Sequence, residues 1–269
     1  MSQKLAFIGA GNIAQAIIGG LVQNGYNPAD ITAADLMQSQ LDKLPAGVLS
    51  TTDNLTAVAG ADVIVCCVKP NHMAALCQSL GPVLAGQSEK LIISVAAGIT
   101  VSSINGWAGD QLAVVRCMPN TPALVKTGMT GLHANPYVSS EQKQTTEFLL
   151  SAVGDFLWFE QESALDAVTA VSGSGPAYYF LVMEAMIDAA QKLGLTAADA
   201  QRLVLQTALG AARMAVENSE PPAILRKNVT SPGGTTEAAI KQLLANGLPE
   251  AFEVAMTAAR DRSVELSAS

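Results

Sequence analysis

The stretch that most narrows what this chain can become is KLAFIGAGNIAQAIIGGL, from Lys4 to Leu21. An apolar run ends at Ile8, small residues follow at Gly9, Gly11 and Ala14, and a helical pattern begins at once. Gly9 permits a tight turn out of a strand. Gly11 has no Cβ to block a pyrophosphate, and Ala14 lets the following helix lie close to a sheet. The amides of Asn12 and Ile13 then face the phosphates, with the positive end of the helix dipole behind them. Small residues at a strand–helix turn can also serve packing alone. Here the turn follows an apolar strand, opens a helix and has an acid at the end of the next strand, a context that points to a dinucleotide.

The rest of the first half repeats this alternation. DITAAD, DVIVCCV, KLIISVAAG and LAVVRCM read as strands that are apolar on both faces, as parallel strands covered by helices must be. Between them, QSQLDKL, NHMAALCQSLGPVL and TVSSINGWAG have helical periodicity, and GMTGLHAN and DFLWFE are candidates for added edge strands. From about Glu162 the texture becomes Ala-rich and helical throughout. The expected fold is α/β: a doubly wound sheet over residues 1–160, then an all-helical domain over 161–269. In YYFLVMEAMIDAA only Glu184 and Asp188 interrupt an apolar surface, so this helix is expected to lie against a second subunit.

Composition removes other classes. A net charge of -8 disfavours nucleic acid, and no apolar run reaches membrane-spanning length. Cys66, Cys67, Cys77 and Cys117 sit in apolar runs without metal-like spacing, so no metal is expected. Reduced thiols, with no signal-like segment before the first strand, make the cytoplasm the expected compartment. The two histidines, His72 in a helix start and His133 in a turn, read as surface residues, so the chemistry should not depend on histidine.

In such sheets ligands sit beyond the carboxyl ends of the strands, where several residues invite a role. Asp35 could bind the ribose diol of the cofactor and repel a 2′-phosphate, which favours NADH, or could cap the next helix. Asn54 could likewise be a cap or a contact to the adenosine. Val68, Lys69 and Pro70 end one strand, and Ala96, Ala97 and Gly98 end another where a flat nicotinamide could lie on backbone; both could be plain loop punctuation. Farther on, SGSGPA offers Ser172, Gly173, Ser174, Gly175 and Pro176 as an anion cradle of exposed amides and hydroxyls. SPGGTT could present an amide and a hydroxyl from Thr235 and Thr236. Both segments could equally be ordinary helix starts.

Six segments, the glycine turn, VKP, AAG, RCMPNTP, VSGSGPAY and TSPGGTT, occur in that order along essentially the whole chain. Together they resemble pyrroline-5-carboxylate reductase. The resemblance implies a Rossmann domain followed by a helical domain that interlocks with a partner's, active sites at a dimer interface, and in many members a ring of dimers. It implies hydride transfer from NAD(P)H to the C=N bond of 1-pyrroline-5-carboxylate, giving L-proline in the last step of its biosynthesis. A protonated imine is already electrophilic, so alignment and dry surroundings suffice, in keeping with the scarcity of histidine.

Carried over by position, the resemblance implies cofactor contacts at Gly9, Ala10, Gly11, Asn12, Ile13, Asp35, Asn54, Val68, Lys69, Pro70, Ala96, Ala97, Gly98, Asn120 and Asn228. Substrate contacts would be Glu162, Ser172, Gly173, Ser174, Gly175, Pro176, Thr235 and Thr236. Thr236 would hold the ring nitrogen and relay a proton to it; Glu162 would favour the iminium or serve as a helix-start carboxylate. The family usually uses NADPH, whereas the pair Asp35-Leu36 leans toward NADH. The competing readings are a related imine or 3-hydroxyacid reductase and a non-catalytic NAD(P)-binding protein. A hydroxyacid enzyme normally wants a lysine or histidine acid/base at the helical interface, and residues 172–200 offer only Lys192.

Overall fold

Strands apolar on both faces can persist in water only if helices cover both sides, and the chain does this. The structure is a computed structural model and describes residues 3–109 and 111–267. One sheet contains β1 (Leu5–Ile8), β2 (Ile31–Ala34), β3 (Leu49–Thr51), β4 (Val63–Cys66), β5 (Leu91–Ser94), β6 (Ala113–Met118), β7 (Gly128–Ala134) and β8 (Gly154–Trp158). Their spatial order is β3-β2-β1-β4-β5-β6-β7-β8. The strands from β3 to β6 are parallel; β7 joins β6 antiparallel, and β8 runs parallel to β7. Every expected strand is present, but GMTGLHAN lies inside the sheet and only DFLWFE is at its edge. The unforeseen strand β3 is three residues long, with Leu49 and Ser50 exposed, so it carries no apolar pattern to read.

The connecting helices are α1 (Asn12–Gln23), α2 (Gln38–Leu41), α3 (Asn54–Ala59), α4 (Met73–Leu84), α5 (Val101–Ala108), α6 (Ser140–Ser151) and α7 (Ala164–Val168). Alternate strand residues feed two cores. Leu5, Phe7, Val65, Ile93 and Val115 pack with Ile17, Ile18 and Leu21 of α1 and with Leu149 and Leu150 of α6. Ala6, Ile8, Ile64, Ile92 and Val114 pack on the other face with Met73 and Leu80 of α4 and Ile104 of α5. Each such large side chain contributes about 1.5–3 kcal/mol of transfer free energy. The polar helix α6 was not apparent from periodicity; its mark is a reciprocal cap, Gln142 N–H donating to Ser139 Oγ at 3.2 Å and Ser139 N–H to Gln142 Oε1 at 2.9 Å. His133, expected in a turn, lies in β7 opposite Arg116, its Nδ1 3.1 Å from the Phe159 carbonyl.

The helices that follow are α8 (Gly175–Lys192), α9 (Ala197–Glu217), α10 (Pro222–Asn228), α11 (Thr235–Ala245) and α12 (Leu248–Ser267). By contacts the chain forms two units: residues 1–174 with 259–269, and residues 175–258. Texture changes near residue 160, but residues 161–174 pack with the sheet. Within the second unit only Gly175, Ala200 and Val204 are buried. Tyr179 is 70% exposed, Phe180 64%, Leu181 65% and Leu209 56%. Helices this apolar without a core of their own are built to be covered by another surface.

The parallel junction of β7 and β8 tolerates no side chain at Gly154. Its φ is +152°, and a Cβ there would lie 2.0 Å from the Gly128 carbonyl oxygen. Gly154→Ala is therefore expected to destabilise the protein by about 2 kcal/mol or more, read as a lowered urea midpoint.

Candidate active site

The strand order reverses at β1, so the crevice beyond the carboxyl ends of β1 and β4 is where a dinucleotide would lie. Gly9 has φ +92°, and a Cβ on it would sit 2.9 Å from the backbone of Cys67, so the turn depends on glycine. A Cβ on Gly11 would meet no protein atom within 4 Å; it would project into open space. The helix start at Asn12 receives no side-chain cap, which leaves its first amides available to an anion. These features fit a bound pyrophosphate.

Asp35 braces this turn directly. Its Oδ2 accepts the Ala10 N–H at 2.8 Å and its Oδ1 accepts the Met37 N–H at 2.9 Å. Met37, not Asp35, occupies the N-cap position of α2. The capping alternative for Asn54 also falls away, because Asp53 caps α3 by accepting from the amides of Leu55 and Thr56. Leu36, beside the carboxylate, is 85% exposed, leaving an apolar side chain where a 2′-phosphate would need a cation.

Other sequence-marked residues gather at the same end of the sheet. Val68 is half-buried and Lys69 and Pro70 are exposed just after β4, while Ala96 and Gly98 are buried and Ala97 is exposed just after β5. Burial pushes the nearby thiols up, Cys67 to about 12 and Cys77 to about 11, so neither supplies a thiolate near neutral pH.

Glu162 and Asn120 act as struts. Glu162 Oε1 accepts from Arg116 Nη1 at 3.1 Å and from the Val101 N–H at 2.9 Å, binding β6 to the start of α5. Arg116 is 3% exposed, and a charge inside an otherwise apolar strand was the signal that such a partner exists. Asn120 Oδ1 accepts the Met129 N–H at 2.9 Å, and its Nδ2 donates to the Ser172 carbonyl at 3.0 Å.

That last bond has a covalent cause. The residue four positions after Ser172 is Pro176, which has no N–H to offer a helical carbonyl. Of the segment expected as an anion cradle or a helix start, Ser172 and Gly173 end a π-helical turn, Thr169–Gly173, after α7, and Gly175 and Pro176 open α8. The Ser174 N–H donates to the Thr169 carbonyl at 2.8 Å, and the Ser172 hydroxyl to the Val168 carbonyl at 3.1 Å. The amide of Ser174 is thus already used, and its hydroxyl is the group left to offer. Gly173 is tightly placed, a Cβ there meeting Met118 Cε at 2.5 Å.

In the helical unit, Thr235 and Thr236 open α11 behind Gly234, again with no side-chain cap. The Gly233 N–H donates to Glu237 Oε2 at 2.6 Å, which fixes the SPGG turn. The Lys241 ammonium, then the Gly233 amide, hold the Glu237 carboxyl below its usual range. Asn228 closes α10, its Nδ2 donating to Glu220 Oε2 at 3.1 Å. Among the described residues no His, Cys, Asp or Glu cluster could hold a metal, and no helix is long and apolar enough to cross a membrane.

A doubly wound sheet with a glycine turn fitted to a pyrophosphate makes this a Rossmann-type, dinucleotide-binding protein. Residues 162–266 match the family model for pyrroline-5-carboxylate reductase dimerisation, and residues 4–98 match that for NADP oxidoreductase coenzyme F420-dependent. The chain is 53% identical to pyrroline-5-carboxylate reductase of Pseudomonas aeruginosa over 98% of its length and 97% of the relative's. It superposes on a solved pyrroline-5-carboxylate reductase from Coxiella burnetii with TM-score 0.95 and 45% identity, covering 99% of each chain. A Plasmodium falciparum pyrroline carboxylate reductase solved with NADP bound gives TM-score 0.87 and 29% identity, covering 99% of this chain and 98% of that one. The chain belongs to the pyrroline-5-carboxylate reductase family. The dimerisation match accounts for the uncovered helices: the protein self-associates.

Removing Glu162 would leave the buried Arg116 guanidinium without its carboxylate partner. Glu162→Ala should cost about 3 kcal/mol in denaturant unfolding, and adding Arg116→Met should recover most of that loss.

Proposed function

We propose that this protein reduces 1-pyrroline-5-carboxylate to L-proline at the expense of NAD(P)H, the last step of proline biosynthesis. The observation that carries the reading is the full-length kinship with reductases of that name, joined to a turn shaped for a pyrophosphate. A bound reduced nicotinamide would supply a hydride to the carbon of the protonated C=N bond, whose π pair would pass to the nitrogen to give the secondary amine. The protein's part is to bind, align and keep dry.

Gly9, Ala10, Gly11, Asn12 and Ile13 receive the pyrophosphate, with Asp35 holding the turn and meeting the ribose. Asn54, Val68, Lys69, Pro70, Ala96, Ala97, Gly98, Asn120 and Asn228 complete the cofactor contacts. Ser172, Gly173, Ser174, Gly175, Pro176 and Thr235 shape the substrate pocket and hold the carboxylate. The Thr236 hydroxyl bonds the ring nitrogen and relays to it, from water, the proton that makes the iminium. Glu162 favours the iminium through its negative charge while tied to Arg116. The exposed Leu36 and the carboxylate before it favour NADH over NADPH. The helical domain pairs two copies, with active sites at the interface between them; rings of dimers build on that pair, and the enzyme works in the cytoplasm.

The direct test is consumption of NADH and of NADPH with pyrroline-5-carboxylate, with proline identified as product; no turnover with either cofactor overturns the reading. Thr236→Ala is expected to lower kcat/KM by about a hundredfold while cofactor affinity stays nearly unchanged. An unchanged kcat/KM would remove Thr236 from its role. Asp35→Ser should weaken both cofactors, since it releases the Ala10 amide, yet raise the NADPH-to-NADH preference about tenfold. An unchanged ratio would make Asp35 a brace alone.

A further inference from the structure

The end of the chain returns to the mouth of the sheet. Residues 259–267, the last turns of α12, belong by contact to the sheet unit rather than to the helical one. Ser263, 5% exposed, donates its hydroxyl to Asp166 Oδ1 of α7 at 2.7 Å. One turn on, the Ser267 hydroxyl donates to the Ser263 carbonyl at 3.0 Å, keeping this end helical. Leu266 then lies against Gly98: a Cβ on that glycine would be 3.5 Å from the Leu266 carbonyl and 3.6 Å from its Cβ. Gly98 has φ +75°, a left-handed turn that L side chains rarely adopt, and Leu266 meets it at ordinary van der Waals distance.

The loop from Ala96 to Val101 is therefore gripped from two sides. Glu162 holds the Val101 amide, and the end of α12, anchored by Asp166, backs Gly98. We propose that Asp166 and Ser263 are positioning residues whose hydrogen bond sets the loop on which the nicotinamide rests, so that a segment nearly 170 residues away in sequence tunes hydride alignment. The proposal rests on the reading of residues 96–98 as the nicotinamide bed. It assigns neither residue a contact with substrate or cofactor. A hydrogen bond that served only to dock the helix would stabilise the whole molecule and leave the two ends of the cofactor equally well bound.

That difference supplies the test. ADP-ribose fills the site without the nicotinamide, whereas NADH fills both ends. In Ser263→Ala, which removes one hydroxyl, the affinity for NADH relative to ADP-ribose should fall about fivefold. The same change should lower kcat and alter the isotope effect measured with 4-deuterated NADH. Asp166→Ala should behave in the same way, and Asp166→Asn, which keeps an acceptor oxygen for Ser263, should restore the ratio. Equal weakening of NADH and ADP-ribose, or no change in either, overturns the proposal, as does a failure of Asp166→Asn to restore the ratio. Should the unaltered protein bind NADH yet leave pyrroline-5-carboxylate unreduced, the proposed reaction falls, while the binding ratio still decides the role of Asp166 and Ser263.

Discussion

Parallel strands buried on both faces leave only their ends for chemistry, and the architecture of the first unit follows from that restriction. Side chains alternating into two apolar cores require helices on both sides. Crossovers between parallel strands then deliver every second connection to one end of the sheet. Asp35, the Val68–Pro70 segment, the Ala96–Gly98 loop and Asn120 share that end because each directly follows a parallel strand.

What these residues do there depended on bonds that no linear pattern records. The sequence marks Asp35, Glu162 and Asn120 as ligand contacts, and each is engaged with the protein itself. Buried or half-buried polar groups must find partners, and in a loop cluster those partners lie 25, 61 and 52 residues away. The groups that brace such a site and those that touch its ligand can be the same atoms, since a carboxylate oxygen accepts more than one hydrogen bond. Arg116 was overlooked although its position inside AVVRCM announced a buried partner.

The helical unit poses the opposite problem. Its periodicity was plain, and the apolar surface of YYFLVMEAMIDAA already demanded a cover. The backbone of SGSGPA was not legible, because glycine and serine suit loops, caps and helical turns alike. Pro176, in the first turn of α8, leaves the Ser172 carbonyl for Asn120 at the end of a π-helical turn.

By itself the sequence determined the strand and helix alternation, the glycine turn, and a helical half with more apolar surface than it can bury alone. Those are properties of period, composition and local steric freedom, which travel with the residues. Only the tertiary structure decided that Glu162 answers Arg116, that Asp53 rather than Asn54 caps α3, and that the end of α12 backs Gly98. Those pairings link residues far apart in the chain, and their partners become known only once the sheet has brought its ends together.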